Sequence, residues 1–214
     1  MRRRLLTTLL FLHAPLLGAQ SGRLSPGDRF VGASAAASFY TQSGAHFANI
    51  RDRNVFGTGL TAEWVLEAAG PLAVATTIEV VPLAVVSRRA GPLEDCWTSA
   101  SGRRRCQLGE SSPAVGSGIL PFGLKLYFAN TPRVRAFTSG ATGMMLFSQE
   151  MPVTGSRRMN FAVEYGAGAE ISTIRGSSVV VGWKFQHMSN AYTAPLNPGV
   201  DANMLYLGLL HRRR

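Results

Sequence analysis

Alternation of apolar and polar residues at every second position is the feature that most limits the fold of this chain. It is clearest in five segments, where one face is apolar and the other carries glycines and scattered charges. These are 56–68, 120–128, 159–171, 177–189 and a last strand containing Leu205, Leu207 and Leu209. Three weaker segments, at about 28–41, 72–87 and 133–148, bring the number to eight. A period of two predicts β-strands and therefore an all-β protein.

The polar faces suit the interior of a small barrel better than a solvated surface. Their charges are few and stand among glycines: Glu63, Glu67, Glu79, Lys125, Glu164, Glu170 and Lys184. The segments also exceed the usual strand length of about five or six residues. A soluble antiparallel β domain would alternate too. The pattern nevertheless favours an eight-stranded antiparallel up-and-down transmembrane β-barrel, with Leu120, Phe122, Leu124, Leu126 and Phe128 among the residues that face lipid.

The N-terminus predicts export. Arg2, Arg3 and Arg4 precede an apolar stretch from Leu5 to Leu17, and Gly18-Ala19 supplies the small residues of a cleavage site. The apolar stretch is too short for a membrane-spanning helix, which needs roughly 20 residues. We therefore expect a signal peptide at residues 1–19 and one outer-membrane barrel domain at residues 20–214.

Loop lengths predict the orientation of the barrel. Short connections at Gly70-Pro71, 130–132 and about 172–176 alternate with longer ones at 42–54, 88–114, 149–157 and 190–200. Outer-membrane barrels have short periplasmic turns and longer external loops. Strand 177–189 is therefore expected to run outward and to end at the outer leaflet.

Two cysteines, Cys96 and Cys106, fall in the longest predicted external loop. Outside the cytoplasm such a pair is expected to form a disulfide. A metal site is not expected, because the spacing is long and the loop contains no histidine.

Basic residues collect in the predicted external loops and would face phosphorylated lipopolysaccharide. They are Arg51, Arg53, Arg88, Arg89, Arg103, Arg104, Arg105, Arg157 and Arg158. Guanidinium groups bind phosphate well, although a solvated charged rim explains any single arginine equally well. Nucleic acid is not an expected partner, because no groove of interleaved aromatic residues accompanies these arginines.

Three residues near the C-terminus can form a hydrolytic triad. His187 and Ser189 share the face of Val179, Val181, Trp183 and Phe185, at a separation of roughly 6.6 Å. Asp201 has the parity of the apolar face of the next strand, and a hairpin would bring it beside His187. Carboxylate, imidazole and hydroxyl in this order activate a serine nucleophile. An eight-stranded barrel has no room for a diffusion pore, so chemistry on the outer wall is expected to act on lipid.

The sequence here resembles the outer-membrane lipid A 3-O-deacylases, the PagL family. That family carries His-x-Ser-Asn-Ala, followed by an Asn-Pro-Gly loop and an acidic residue. This chain has His187-Met188-Ser189-Asn190-Ala191, then Asn197-Pro198-Gly199-Val200-Asp201. It departs from the family in its acid, which is typically glutamate, and in its C-terminus, which ends in arginines where such barrels usually end in an aromatic residue.

The resemblance implies an enzyme that hydrolyses the 3-O-linked acyl chain of lipid A without a cofactor. Ser189 would be the nucleophile and His187 the base. Asn190 would stabilise the oxyanion, through its side chain or through neighbouring backbone N–H groups. Two alternatives stay open: a non-catalytic barrel that anchors or recognises surface lipid, and a phospholipase or broader esterase with the same triad. The sequence also leaves the oligomeric state open, a homodimer included.

Overall fold

The computed structural model describes residues 22–38, 50, 53–88, 94–98, 103–108, 112–173 and 176–213. The expected signal peptide at 1–19 lies outside the described residues. The described part contains ten β-strands: β1 (Arg29–Ser38), β2 (Arg53–Ala69), β3 (Leu72–Arg88), β4 (Glu94–Thr98), β5 (Arg104–Leu108), β6 (Ala114–Asn130), β7 (Val134–Met151), β8 (Arg157–Ser172), β9 (Ser177–Ser189) and β10 (Val200–Arg213). Within these residues, no helix is long and apolar enough to cross a membrane.

Eight of the ten strands close into an antiparallel barrel. Their order around the ring is β1, β10, β9, β8, β7, β6, β3, β2, so each pairs with its neighbours in the chain once the inserted hairpin is left out. This confirms the predicted eight-stranded up-and-down barrel. The sequence did not predict strands β4 and β5, which form a separate hairpin in the long connection between β3 and β6.

The alternating pattern places apolar side chains on the outside of the barrel. Leu60, Leu124, Val163 and Leu205 are all exposed on the outer wall, whereas Glu63 and Glu170 on the opposite faces of their strands are buried. A polar group that faced lipid without a partner would be costly, and burying it inside the ring with other polar groups avoids that cost.

Leu120 departs from this pattern. It was expected to face lipid, but this prediction was wrong, because Leu120 is fully buried in the interior. The register with β7 shifts between Ile119 and Phe122, and the register with β3 shifts across the same segment. Pro121 lies in this irregularity, and a proline that cannot donate to the ladder is typical of a β-bulge. The extra residue reverses the parity, so the outward face is odd before Leu120 and even after it.

The barrel interior is filled by ion pairs and hydrogen bonds. Lys125 binds Glu63 at 3.0 Å and also contacts Glu170. Glu170 in turn accepts from Arg135 Nε at 3.0 Å and from the Tyr127 hydroxyl at 2.5 Å. Beside this network a cavity of about 110 Å³ remains, lined in part by Glu79 and Lys184 but by none of the three predicted triad residues. The side chains of a barrel this small occupy most of its interior.

Candidate active site on the outer wall

His187 and Asp201 lie directly opposite each other on the neighbouring strands β9 and β10. Residues two apart in a strand share a face, so Ser189 lies on the same outer face as His187. The order of the chain from β9 into β10 therefore brings the three predicted residues together at one end of one hairpin.

Two hydrogen bonds join these three side chains. His187 Nδ1 lies 2.6 Å from Asp201 Oδ1, and His187 Nε2 lies 3.0 Å from Ser189 Oγ. The imidazole therefore bridges the carboxylate and the hydroxyl through its two different nitrogens. In the neutral tautomer with the proton on Nδ1, that N–H donates to Asp201 and Nε2 can accept the serine proton.

Exposure differs among the three groups in a way that suits hydrolysis. The side chain of Asp201 is only 2% exposed, whereas that of His187 is 19% exposed. Ser189 is also partly exposed. The carboxylate is thus shielded beneath the hairpin, while the hydroxyl and the imidazole remain open to a molecule on the outer wall.

The outer wall beside the site is aromatic. Phe185 was expected to face lipid, and it does lie on the outer face, but it is only 3% exposed. Its ring lies 5.0 Å from that of Tyr165, which in turn makes an edge contact with Trp183 at 6.0 Å. Tyr165 and Trp183 remain exposed, so Tyr165 packs against Phe185 and forms, with Trp183, the surface that meets lipid.

The segment that follows Ser189 is held by a set of side-chain hydrogen bonds. Asn190 donates its backbone N–H to Asn197 Oδ1 at 2.9 Å and its side-chain amide to the Leu196 carbonyl at 2.7 Å. Thr193 donates both its N–H and its hydroxyl to the Asn190 carbonyl, at 3.0 and 2.8 Å. Asn190 is only 1% exposed, so its side chain is turned into the loop and not toward the outer wall.

Arg157 binds this loop from the neighbouring strand β8. Its Nε and Nη2 both donate to the Thr193 carbonyl, at 3.1 and 2.9 Å. The sequence had placed Arg157 only in a basic rim. No local pattern signals its contact with Thr193, because the two residues are 36 positions apart.

Two residues of the loop have backbone conformations that L-amino acids adopt at a cost. Ala191 has φ of 50° and Tyr192 has φ of 61°. Non-glycine residues in this left-handed region persist only where the surroundings enforce them, and they cluster at functional sites. Here they directly follow Asn190, the residue after Ser189, and the hydrogen bonds of Asn190 lie beside them.

The predicted cysteine pair is confirmed as a disulfide. Cys96 and Cys106 lie opposite each other in the β4–β5 hairpin and are bonded. Among the residues that the structure describes, no cluster of three or more histidine, cysteine or acidic side chains could hold a metal ion.

The chain matches the model of a known protein family. The family model described as lipid A 3-O-deacylase (PagL) matches residues 86–209, which is more than half of the 214 residues and includes all three triad positions. The chain belongs to the PagL family. This membership makes it an outer-membrane hydrolase that deacylates lipid A.

The fold of the chain is similar to that of a solved PagL structure. The crystal structure of the outer membrane enzyme PagL aligns with a TM-score of 0.55 at 19% identity, covering 83% of this chain and 97% of that one. Neisserial surface protein A aligns with a TM-score of 0.48 at 11% identity, covering 86% of this chain and 96% of its own. OprG from Pseudomonas aeruginosa aligns at 0.44 and 13% identity, covering 90% and 98%. No curated protein matches this PagL-family sequence.

Proposed function

We propose that this chain hydrolyses the ester that links an acyl chain to the 3-position of lipid A, using Ser189, His187 and Asp201. The observation that carries the proposal is the pair of hydrogen bonds that places His187 between Asp201 and Ser189 on the lipid-facing wall. The site lies at the end of the barrel that has the longer connections, and in outer-membrane barrels that end faces outward. Lipopolysaccharide occupies the outer leaflet, so its esters would lie level with the site.

The proposed reaction begins when Ser189 Oγ attacks the carbonyl carbon of the ester and His187 Nε2 takes the hydroxyl proton. The tetrahedral intermediate then expels the sugar 3-oxygen, which receives that proton from His187. Water next attacks the acyl-enzyme while Nε2 accepts a proton from it, and the fatty acid leaves as Ser189 Oγ receives that proton from His187. Throughout both steps Asp201 holds the imidazole and stabilises its charged form.

We assign the oxyanion donors to backbone amides next to Asn190. The two alternatives were the Asn190 side chain and the neighbouring N–H groups, and the side chain is buried in the loop and bound to Leu196. The N–H groups of Ala191 and Tyr192 form no hydrogen bond within the part of the chain that the structure describes. They belong to the second and third residues after the nucleophile, and backbone N–H groups close to a nucleophile commonly donate to the developing oxyanion.

Mass spectrometry of lipid A from cells that express the protein tests this proposal. The wild type is expected to remove one 3-linked acyl chain, and Ser189→Ala is expected to leave lipid A intact. Ser177→Ala is a matched control, since Ser177 lies on the same strand and face and contacts a histidine, His211, at 3.0 Å. It should behave as the wild type does.

Identical spectra from the wild type and Ser189→Ala, with both proteins folded in the outer membrane, would refute the proposal and favour a non-catalytic lipid-binding barrel. Competition between lipid A and phospholipid in mixed detergent micelles separates the deacylase from a general esterase. A deacylase is expected to release fatty acid from lipid A first and to leave the phospholipid largely intact.

A further inference from the structure

Gly140 is a glycine that the barrel itself does not require. It is the only exposed glycine in the described barrel strands, and it lies on the outer face between Thr138 and Thr142. A Cβ at Gly140 would meet only the Glu164 carbonyl, at an ordinary contact distance of 3.5 Å. By contrast, a Cβ at Gly143 would lie 2.0 Å from the Ile119 carbonyl oxygen. Glycine weakens a strand interior, and where packing does not demand it, it often marks the close approach of a ligand.

The strand register shows that Gly140 lies below the candidate active site. Paired residues on neighbouring strands define a line perpendicular to the strands. This line starts at Arg213 on β10 and passes through β1, β2 and the other barrel strands to β9. It then returns to β10 at Asn203. It has then moved ten residues, from 213 to 203, toward the long-loop end. This displacement corresponds to strands inclined by roughly 40° to the barrel axis. A perpendicular from β9 toward β8 therefore descends into the membrane.

An acyl chain that hangs from Ser189 along the barrel axis would cross β8 and then β7. Ser189 pairs with Phe161, and Phe161 pairs with Met144. Because the strands are inclined by roughly 40°, a line drawn from Ser189 parallel to the barrel axis passes Val163 on β8. It reaches β7 between Thr142 and Gly140. Two strand spacings and four residues separate Ser189 from Gly140, which is roughly 16 Å along the wall. The missing side chain of Gly140 leaves a gap on the outer wall, and this gap therefore lies near the methyl end of a medium-length acyl chain.

Large side chains stand on both sides of this gap. Tyr165 on β8 and Leu124 on β6 lie directly opposite Gly140, and both are exposed. The hydroxyl groups of Thr138 and Thr142 donate to the carbonyls of Gly166 and Ala162, at 2.8 and 3.1 Å. The gap is thus formed by Gly140, which has no side chain, and is flanked by the exposed side chains of Tyr165 and Leu124. The hydroxyl groups of the two neighbouring threonines are both hydrogen-bonded.

We propose that the gap at Gly140 receives the distal part of the acyl chain that is being cleaved, and that the missing side chain sets the chain length which the enzyme accepts. This inference rests on the proposed function, because it takes Ser189 as the point from which the chain descends. The ligand class is a saturated acyl chain of a glycolipid ester, and Gly140 acts as a specificity determinant and not as a catalytic residue.

The test measures kcat/KM for synthetic 3-O-acylated glucosamine lipids with short, medium and long chains in mixed micelles. Gly140→Leu is expected to lower kcat/KM for the long chain about tenfold relative to the short one, because a few methylene groups lose their contact with the wall. Gly140→Ala should give a smaller change in the same direction. Ala35→Leu is the matched control, since Ala35 is a small exposed residue on the outer wall of β1, away from this line, and it should leave the chain-length profile unchanged.

The outcomes distinguish the two proposals. If the wild type releases no fatty acid from any of these lipids, the proposed function fails. If the wild type is active and Gly140→Leu keeps its chain-length profile, or loses activity equally for all lengths, the inference about Gly140 is wrong while the triad stands. Mobility of the unheated barrel on gels confirms that each variant is folded before its profile is compared.

Discussion

Replacing Asp201 by asparagine tests the acid of the proposed triad, a position where the resemblance to the family implies glutamate. The carboxylate lies 2.6 Å from His187 Nδ1, and its side chain is 2% exposed. The contact is already short, so aspartate reaches the imidazole from its position directly opposite His187 without the additional methylene of glutamate. We therefore expect Asp201 to support catalysis, and Asp201→Asn to remove that support while leaving the packing of the hairpin nearly unchanged.

The size of the effect follows from the contact. A hydrogen bond to a charged group contributes about 1.5–3 kcal/mol, which corresponds to a loss of about 10- to 150-fold in kcat. The loss can approach about 10⁴-fold if the asparagine amide donates to Nδ1, because the imidazole then holds its proton on Nε2 and cannot accept one from the serine. The measurement is release of fatty acid from purified lipid A in detergent, with the substrate saturating.

Glu67→Gln is the control, because it makes the same change of carboxylate to amide at an exposed position near the short-turn end of β2. It should retain wild-type activity. An activity of Asp201→Asn within about threefold of the wild type would contradict the assignment of Asp201 as the acid. In that case the contact at 2.6 Å would be a structural feature of the hairpin only.

Two further predictions follow from other contacts. Arg157→Ala should lower kcat/KM about tenfold through loss of its two hydrogen bonds to Thr193, and circular dichroism should show an unchanged barrel. Glu170→Gln should destabilise the barrel by about 3 kcal/mol in denaturant titrations, since it breaks buried contacts to Lys125 and Arg135. Its activity per folded molecule should be unaffected.

Alternation was sufficient to predict most of the barrel because membrane and interior impose opposite requirements on successive residues. The same parity predicted that His187, Ser189 and Asp201 lie on one outer face, and the pairing of β9 with β10 places Asp201 opposite His187. Parity fails where the ladder is irregular. Leu120 was assigned to the wrong face, although Pro121 was a signal of a bulge that a reading of parity alone does not include.

Relations between distant parts of the chain could not be predicted from local patterns. The bond from Arg157 to Thr193 joins β8 to a loop beyond β9, and Gly140 lies below Ser189 only because of the inclination of the strands. The second relation follows from the register summed around the barrel. The β4–β5 hairpin was missed for a different reason, since its two short strands show no alternation of apolar and polar residues.

The interior network and the outer site are connected through the register of β9. His187 and Ser189 are among its outward residues, and two of its inward residues are bound to one carboxylate: Gln186 donates to Glu164 at 2.5 Å, and Lys184 binds Glu164 at 2.9 Å. A slip of one residue in β9 would turn His187 into the barrel and Lys184 toward lipid. Such a slip would break both contacts to Glu164 and expose an ammonium group to acyl chains, which is costly. The charged interior therefore does more than fill the barrel, because it selects the single register in which the imidazole, the hydroxyl and the carboxylate meet on the outer wall.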